Sequence, residues 1–209
     1  MVAMIHTRSA LALALGAMMV TAAAAQTSGL PKAPQTTPPA AKSGKGHGID
    51  SQMLLDRLFG QLNKAENVET AKVVEKAIWG LWSQSSSPTA NALLGQASKA
   101  MAASNFRVAI KLLDTAIELK PDFAEAWNKR ATAFYLDGNF KSSMADIERV
   151  LELEPRHFGA LSGLGLIQRE LGDEEAALKA FRRALAIHPH LPAANRAVKE
   201  LETEFEQRI

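Results

Sequence analysis

The chain has 209 residues, 47% of them hydrophobic and 22% charged, which is enough for one globular domain with a continuous core. Its 24 lysines and arginines nearly balance its 22 aspartates and glutamates, so the charge argues against a nucleic-acid or anionic-membrane binder. Because the sequence contains no cysteine, disulfides, thiolate metal sites and cysteine nucleophiles are excluded.

Residues 1–25 have the three-part layout of a secretory signal peptide. Arg8 precedes an apolar run at residues 11–20, and small residues follow up to Ala25. We predict cleavage after Ala25 and a periplasmic or secreted mature protein without stable membrane insertion. The alternative is an uncleaved anchor, but this alanine-rich run is shorter than the about 20 apolar residues that span a bilayer.

Residues 26–48 are rich in proline, alanine, glycine and serine and show no apolar periodicity. Such a composition cannot bury enough surface to offset its conformational entropy, so it predicts a disordered linker. The alternative readings are a proline-rich docking peptide and a segment that fills the protein's own binding groove.

Residues 49–88 predict a degenerate helical hairpin. Four leucines recur at helical spacing in its first helix, and an apolar stripe runs along a second helix from Val68 to Trp82. Ser87 is the expected N-cap of the next helix, with Pro88 in its first turn. Trp79 and Trp82 lie on one face of the second helix and are expected to be buried against the first full repeat; the alternative is an exposed aromatic patch that binds a partner.

A repeat of 34 residues follows, marked by Pro121, Pro155 and Pro189. The blocks 90–123, 124–157 and 158–191 align without gaps. Small residues recur at two places where helices can approach closely, and large apolar residues recur between them; the small residues are Ala97, Ala131 and Gly165, then Ala109, Ser143 and Ala177. Turns are predicted in the middle of each block, at Ser104-Asn105, Gly138-Asn139 and Gly172-Asp173.

With these features the chain resembles the tetratricopeptide repeat family. The middle block carries the resemblance through Trp127, Ala131, Phe134, Gly138, Phe140, Ile147 and Pro155, and the third block through Leu161, Leu164, Gly165, Gly172, Ala177, Phe181, Ala184 and Pro189. The resemblance implies an all-α, right-handed solenoid of stacked helix-turn-helix hairpins. Gln96, Arg130 and Val150 depart from the family pattern and predict local adjustments within that fold.

The tail, residues 192–209, predicts a capping helix, with Val198, Leu201 and Phe205 at helical spacing. The segment Ile78-Trp79-Gly80-Leu81-Trp82 before the repeats is similar to small exported repeat proteins of Gram-negative bacteria.

The resemblance also implies a concave groove lined by the first helix of each block. At the corresponding places stand Asn91, Leu94, Ser98 and Met101, then Glu125, Asn128, Thr132 and Tyr135, then Gly159, Ser162, Leu166 and Arg169. Amide, hydroxyl and apolar side chains in this mixture suit an extended peptide. Family members that grip a free carboxylate use several lysines and arginines there, and only Asn128 and Arg169 approach that pattern.

The sequence shows no phosphate-binding loop, paired-histidine motif or nucleophile elbow, so we expect neither catalysis nor a cofactor. A surface metal site is one interpretation of His157, His188 and His190. We expect instead that these histidines are solvent-facing turn residues. Asp173, Glu174 and Glu175 are explained by the helix N-terminus that they precede or begin.

The leading hypothesis is a non-catalytic periplasmic adaptor or scaffold that binds a protein or peptide segment in its concave groove. The alternative is a subunit that associates with itself to form a structural assembly of the envelope.

Overall fold

The computed structural model describes residues 46–208, and the predicted signal peptide and most of the predicted linker lie outside that range. The described residues contain nine α-helices and no strand, which confirms the all-α class. Residues from Ser51 onward form one compact unit. The helices are α1 (Gly46–Asn63), α2 (Val68–Trp82), α3 (Pro88–Ala102), α4 (Phe106–Leu119), α5 (Ala124–Leu136), α6 (Phe140–Leu153), α7 (Phe158–Glu170), α8 (Glu174–Ile187) and α9 (Pro192–Glu206).

The helix boundaries follow from capping chemistry. Ser87 accepts a hydrogen bond from the Ala90 N–H and Pro88 begins α3, both as predicted. In each repeat a residue with positive φ ends the first helix, and the next residue caps the second helix through its side chain. The residues with positive φ are Ser104 at 56°, Gly138 at 81° and Gly172 at 80°, and the caps are Asn105, Asn139 and Asp173.

Each repeat pairs its two helices through a small residue that faces a large one. In the third repeat, a Cβ added at Gly165 would lie 2.8 Å from the Phe181 ring, so only glycine allows this approach of α7 to α8. Ala131 and Ile147 are buried at the matching places of the second repeat. The core is therefore a continuous seam between the helices of each pair and between neighbouring pairs.

Arg130 occupies a place where the family prefers an apolar residue, and the structure shows how it is accommodated. Its guanidinium donates to Asp146 on α6 at 2.7 and 2.8 Å and to Asp114 on α4 at 2.7 Å. The same group lies over the Trp127 ring, 4.8 Å from its centroid. Both carboxylates hold its pKa above the ordinary range, although burial opposes the charge. Arg130 thus joins two successive repeats.

The last helix, α9, packs along α8 and covers the end of the core. Ala194, Ala197 and Leu201 are buried there. Its outer face is acidic and pairs with basic residues of the third repeat; Arg169 donates to Glu200 at 2.8 Å and Arg182 to Glu202 at 2.7 Å. Within residues 46–208, no helix is both long and apolar enough to cross a membrane.

Candidate peptide-binding groove

The twelve predicted positions, which we call the groove face, lie on α3, α5 and α7, the first helices of the three repeats. Spacings of three and four residues place the four positions of each helix on one side of it. These positions differ in how far they are buried. Those in the N-terminal half of each helix are mostly buried by other parts of the chain, and those in the C-terminal half are half-buried.

On α3, the groove face begins with a residue that serves the loop before the helix. The Asn91 side chain accepts hydrogen bonds from the Ser85 N–H at 2.8 Å and the Ser85 hydroxyl at 2.6 Å, and it donates to the Ser85 carbonyl. Leu94 is buried in the core of the first repeat. Ser98 and Met101 remain half-buried, and the Ser98 hydroxyl donates to the Leu94 carbonyl.

On α5, Glu125 is 1% exposed and forms the centre of a polar cluster. Its Oε2 accepts from the Asn128 amide at 2.9 Å and lies 3.3 Å from His157 Nε2. The Lys129 ammonium lies 3.6 Å from Oε1, which is within ion-pair range but beyond a hydrogen bond. Burial opposes ionisation of Glu125, but His157, Lys129 and Asn128 together hold its pKa below the usual value.

The remaining α5 positions, Thr132 and Tyr135, are half-buried and less constrained. The Thr132 hydroxyl donates to the Asn128 carbonyl. The Tyr135 ring lies 5.6 Å from the Phe140 ring between centroids, and burial together with the carboxylate of Glu170 raises the pKa of its phenol.

On α7, Gly159 and Ser162 are buried, whereas Leu166 and Arg169 are half-buried. The Ser162 hydroxyl donates to the Phe158 carbonyl. Arg169 is held by Glu200 and Glu204 of α9, which keep its pKa above the ordinary range despite some burial.

Six positions therefore form an open half of the groove face, which we define by the residues Ser98, Met101, Thr132, Tyr135, Leu166 and Arg169. These side chains run across three consecutive first helices. Of the other six positions, Gly159 lies directly against Trp79 of α2.

Trp82 of α2 is buried and Trp79 is half-buried, and both pack at the start of the third repeat, so the expectation that they pack on the first repeat is wrong in its location. The indole of Trp82 stacks on His157, with ring centroids 4.0 Å apart and planes at 7°, and it also contacts Phe158. The Trp79 ring packs edge-to-face with the His157 and Phe158 rings, with centroids 5.4 Å apart in both pairs. Its ring lies over Gly159, where an added Cβ would be 2.7 Å from Trp79 Cη2.

The segment from Ser51 to Trp82, which we call the N-terminal hairpin, docks on two equivalent loops at residues 154–157 and 188–191. At the first loop, Arg156 donates to Asp56 at 2.7 Å and lies over the Phe59 ring at 4.3 Å. At the second loop, His190 donates to the Ala65 carbonyl at 2.7 Å, and His188 Nε2 lies 3.3 Å from Glu75. Just before it, the Asn63 amide donates to the Ala186 carbonyl at 2.9 Å.

Two of the three histidines are therefore buried, so their assignment as solvent-facing turn residues is wrong. His157 is 0% exposed and His188 is 1% exposed, because the hairpin covers the loops that carry them. His157 Nδ1 accepts from the Ala160 N–H, so the ring proton belongs on Nε2, which donates to Glu125. Glu75 likewise has a lowered pKa, since hydrogen bonds from His188 and Trp79 outweigh its burial.

The sequence indicates that the two tryptophans share one face of a helix, but it does not indicate which residues they contact. One feature of the sequence could have predicted the role of His157. It stands immediately before the first helix of a repeat, where a side chain can cap the helix N-terminus. Nothing local to Glu125 indicates that it meets this histidine, since the contact depends on how the loop before α7 packs against α5.

A family model described as the tetratricopeptide repeat matches residues 94–146 and again residues 138–192. A TPR repeat-containing protein of Rhizobium etli is 45% identical over 135 residues, which are 65% of this chain and 66% of that protein. The small glutamine-rich tetratricopeptide repeat-containing protein 2 of Mycosarcoma maydis is 29% identical over 48% of this chain and 28% of its own length. The chain thus spans slightly less than two thirds of the first relative and under a third of the second.

Solved structures share the fold at low identity. The Sgt2 TPR domain from Aspergillus fumigatus has a TM-score of 0.55 and 22% identity, covering 58% of this chain and 82% of that domain. The first TPR of Spaghetti (RPAP3), bound to the HSP90 peptide SRMEEVD, has a TM-score of 0.54 and 19% identity, covering 56% and 94%. Taken with the helix pairs described above, these matches show that residues 94–192 are similar to tetratricopeptide repeats in sequence and fold.

Proposed function

We propose that this protein is a non-catalytic adaptor that binds an extended segment of another protein along the open half of its groove face. The observation that carries the proposal is the continuity of that half over α3, α5 and α7. Its hydroxyl, thioether, phenol and aliphatic side chains can contact both the backbone and the apolar side chains of a peptide.

The electrostatics argue against recognition of a free C-terminal carboxylate. Asn128 and Arg169 are the two groove residues that could serve such a role, but Asn128 is 7% exposed and donates to Glu125. Arg169 is already paired with Glu200 and Glu204. The ligand that fits best is an internal, uncharged or weakly basic segment, since carboxylates flank the Tyr135 and Arg169 end of the groove.

We also propose that the protein acts in the periplasm after removal of residues 1–25. Support comes from the signal-peptide layout of the sequence and from the absence of cysteine, which suits an oxidising compartment. N-terminal sequencing of the protein from the envelope fraction of a Gram-negative host should give Gln26 as the first residue. An intact Met1 in the membrane fraction would instead support an uncleaved anchor.

The binding proposal is tested by crosslinking in intact cells followed by mass spectrometry. The native protein is compared with a Thr132→Ala, Tyr135→Ala variant and with a control, Lys111→Ala, Glu118→Ala, whose changes are exposed on α4. All three must show equal helicity by circular dichroism. A partner that crosslinks to α5 or α7, is lost in the groove variant and is kept in the control supports the adaptor and names its process.

Crosslinks only between copies of this chain, or unchanged by the groove variant, would contradict the adaptor. That outcome would favour the self-associating assembly subunit, and light scattering on the purified mature protein would then have to show an oligomer.

A further inference from the structure

The N-terminal hairpin packs on a part of the chain distant from the repeat to which it is joined. The apolar cluster around α1 and α2 includes Phe158, Ile187 and Leu191 from the third repeat and the loop after it, and no residue of α3 or α4. A hairpin that merely extended the solenoid would stack on α3, because each repeat normally contacts its neighbours in sequence. The hairpin instead packs on a repeat that is distant in sequence, as a bound segment of another protein would.

The surface beneath α2, which we call the cradle, consists of His157, Phe158, Gly159 and His188. Gly159 forms its floor, where any larger residue would strike Trp79, and the three rings form its walls. The matching places in the first and second repeats hold Asn91 and Glu125, so only the third repeat has room for an indole.

The docked hairpin leaves polar atoms unsatisfied inside this interface. Trp82 Nε1 and His188 Nδ1 are buried without a hydrogen-bond partner, and they are two of the four such side-chain atoms in residues 50–208. Most buried polar groups in folded proteins are paired, and an unpaired one weakens the contact that buries it. The hairpin therefore occupies the cradle with a good apolar fit but incomplete polar complementarity.

We propose that the cradle is a binding site for a helical partner segment that carries tryptophan on one face, and that α2 occupies this site in the free protein. The proposal rests on the proposed function, because it assigns the partner chemistry of a site that shares Gly159 with the groove face. A partner that also supplies an acceptor for the indole at the Trp82 position, or a hydrogen-bond partner for His188 Nδ1, can displace α2.

The occupant defines the pattern that the cradle recognises. Trp79 and Trp82 are three residues apart on one face of α2, and Glu75 is one turn earlier. Glu75 accepts from Trp79 Nε1 at 3.2 Å and faces His188. The expected partner motif is therefore an acidic residue followed by aromatic residues four and seven positions later, on an amphipathic helix.

The test uses a fluorescein-labelled synthetic peptide with the sequence of residues 68–82 and the mature chain, residues 26–209. Binding is measured by fluorescence anisotropy to the native chain, to a Trp79→Ala, Trp82→Ala chain, and to that chain with Gly159→Leu added. The leucine fills the space that Trp79 leaves, so it closes the cradle without opening a new cavity. A peptide with both tryptophans replaced by alanine is the matched control ligand.

We expect the peptide to bind the double variant at least tenfold more tightly than the native chain, whose cradle is occupied. The Gly159→Leu addition and the alanine peptide should each abolish binding. If the double variant is not fully helical, Arg156→Ala replaces it, since this change weakens docking at Asp56 and Phe59 and leaves the cradle intact.

Equal binding to the native chain and the double variant would show that α2 does not occupy the site, and no binding to any chain would show that the cradle does not accept a segment in trans. A native chain that scatters light as a dimer would assign the occupant to a second copy. Each of these results overturns the proposal, while crosslinks at Thr132 and Tyr135 would still support the adaptor function by themselves.

Discussion

The indole of Trp82 lies parallel to the imidazole of His157, at 4.0 Å between ring centroids and 7° between planes. One ring belongs to the hairpin before the repeats and the other caps the first helix of the third repeat. This stack is the central contact of the hairpin interface, and it lies directly beside the buried cluster of Glu125.

Trp82→Ala should lower the free energy of unfolding by about 3–5 kcal/mol, because it removes a large buried ring and leaves a cavity. The matched control is Val73→Ala on the same helix, where the side chain is 72% exposed and the change should stay within about 0.5 kcal/mol. Urea denaturation followed by circular dichroism measures both. Equal effects of the two variants would mean that the hairpin contributes nothing to the stability of the fold.

Two glycines of α7 should respond in opposite directions to alanine. At Gly159 the new Cβ would lie 2.7 Å from Trp79 Cη2, so we expect a loss of about 1–3 kcal/mol and a changed tryptophan emission spectrum. At Gly163 the nearest atom is Ile147 Cδ1 at 3.5 Å, so the better helix propensity of alanine should stabilise by about 0.5–1 kcal/mol. Thermal melts of both variants give the comparison, and stabilisation by Gly159→Ala would contradict the close fit of Trp79.

Arg130→Ala should destabilise the chain by about 3 kcal/mol, because it leaves the buried carboxylate of Asp146 without its partner. The control is Arg149→Ala, which removes an exposed pair with Glu152 and should change stability by less than about 1 kcal/mol. Chemical denaturation distinguishes them. Arg130→Met would test the packing of the stem separately, and similar small losses in all three variants would refute a role for Arg130 in joining the repeats.

Glu125 makes the stability of the fold depend on pH on the acid side. Its folded pKa is below the ordinary 4.5, so its contribution is present above that pH and is lost as the pH falls through the folded value. We expect the melting temperature of the native chain to fall below pH 4.5 more steeply than that of Glu125→Gln. Glu118→Gln, an exposed change, should keep the native slope; a native slope in Glu125→Gln as well would show that the buried cluster of Glu125, His157 and Lys129 does not govern this dependence.

The repeat architecture could be predicted because its signals are local. Gly138 and Gly172 adopt positive φ where the turns were expected, and Asn139 and Asp173 cap the helices that follow. Such residues determine the backbone conformation only within a few positions of themselves. Because they recur every 34 residues, the turns and caps can be predicted without knowledge of tertiary contacts.

The environment of the groove could not be predicted in the same way. Asn128 and Glu125 lie on α5, but the buried cluster that they form includes His157 from the end of the same repeat, and His157 in turn stacks on Trp82 of a hairpin docked from the other end of the sequence. His188 reads as an exposed turn residue beside Pro189 for the same reason. Long-range docking of an amphipathic helix leaves no period in the sequence, since several surfaces could accept the same apolar stripe.

The docking of the hairpin on two successive loops also has a mechanical consequence. Arg156 at one loop and His190 at the next both donate hydrogen bonds to the hairpin. The hairpin therefore holds the two ends of the third repeat in fixed positions. A solenoid bends through small rotations between neighbouring repeats, and at the joint between α4 and α5 the bridge is the ion pair of Arg130 with Asp114 rather than the hairpin. Any rotation of the first repeat relative to the second must therefore shift the Arg130–Asp114 pair, whereas the third repeat is additionally held by Arg156 and His190.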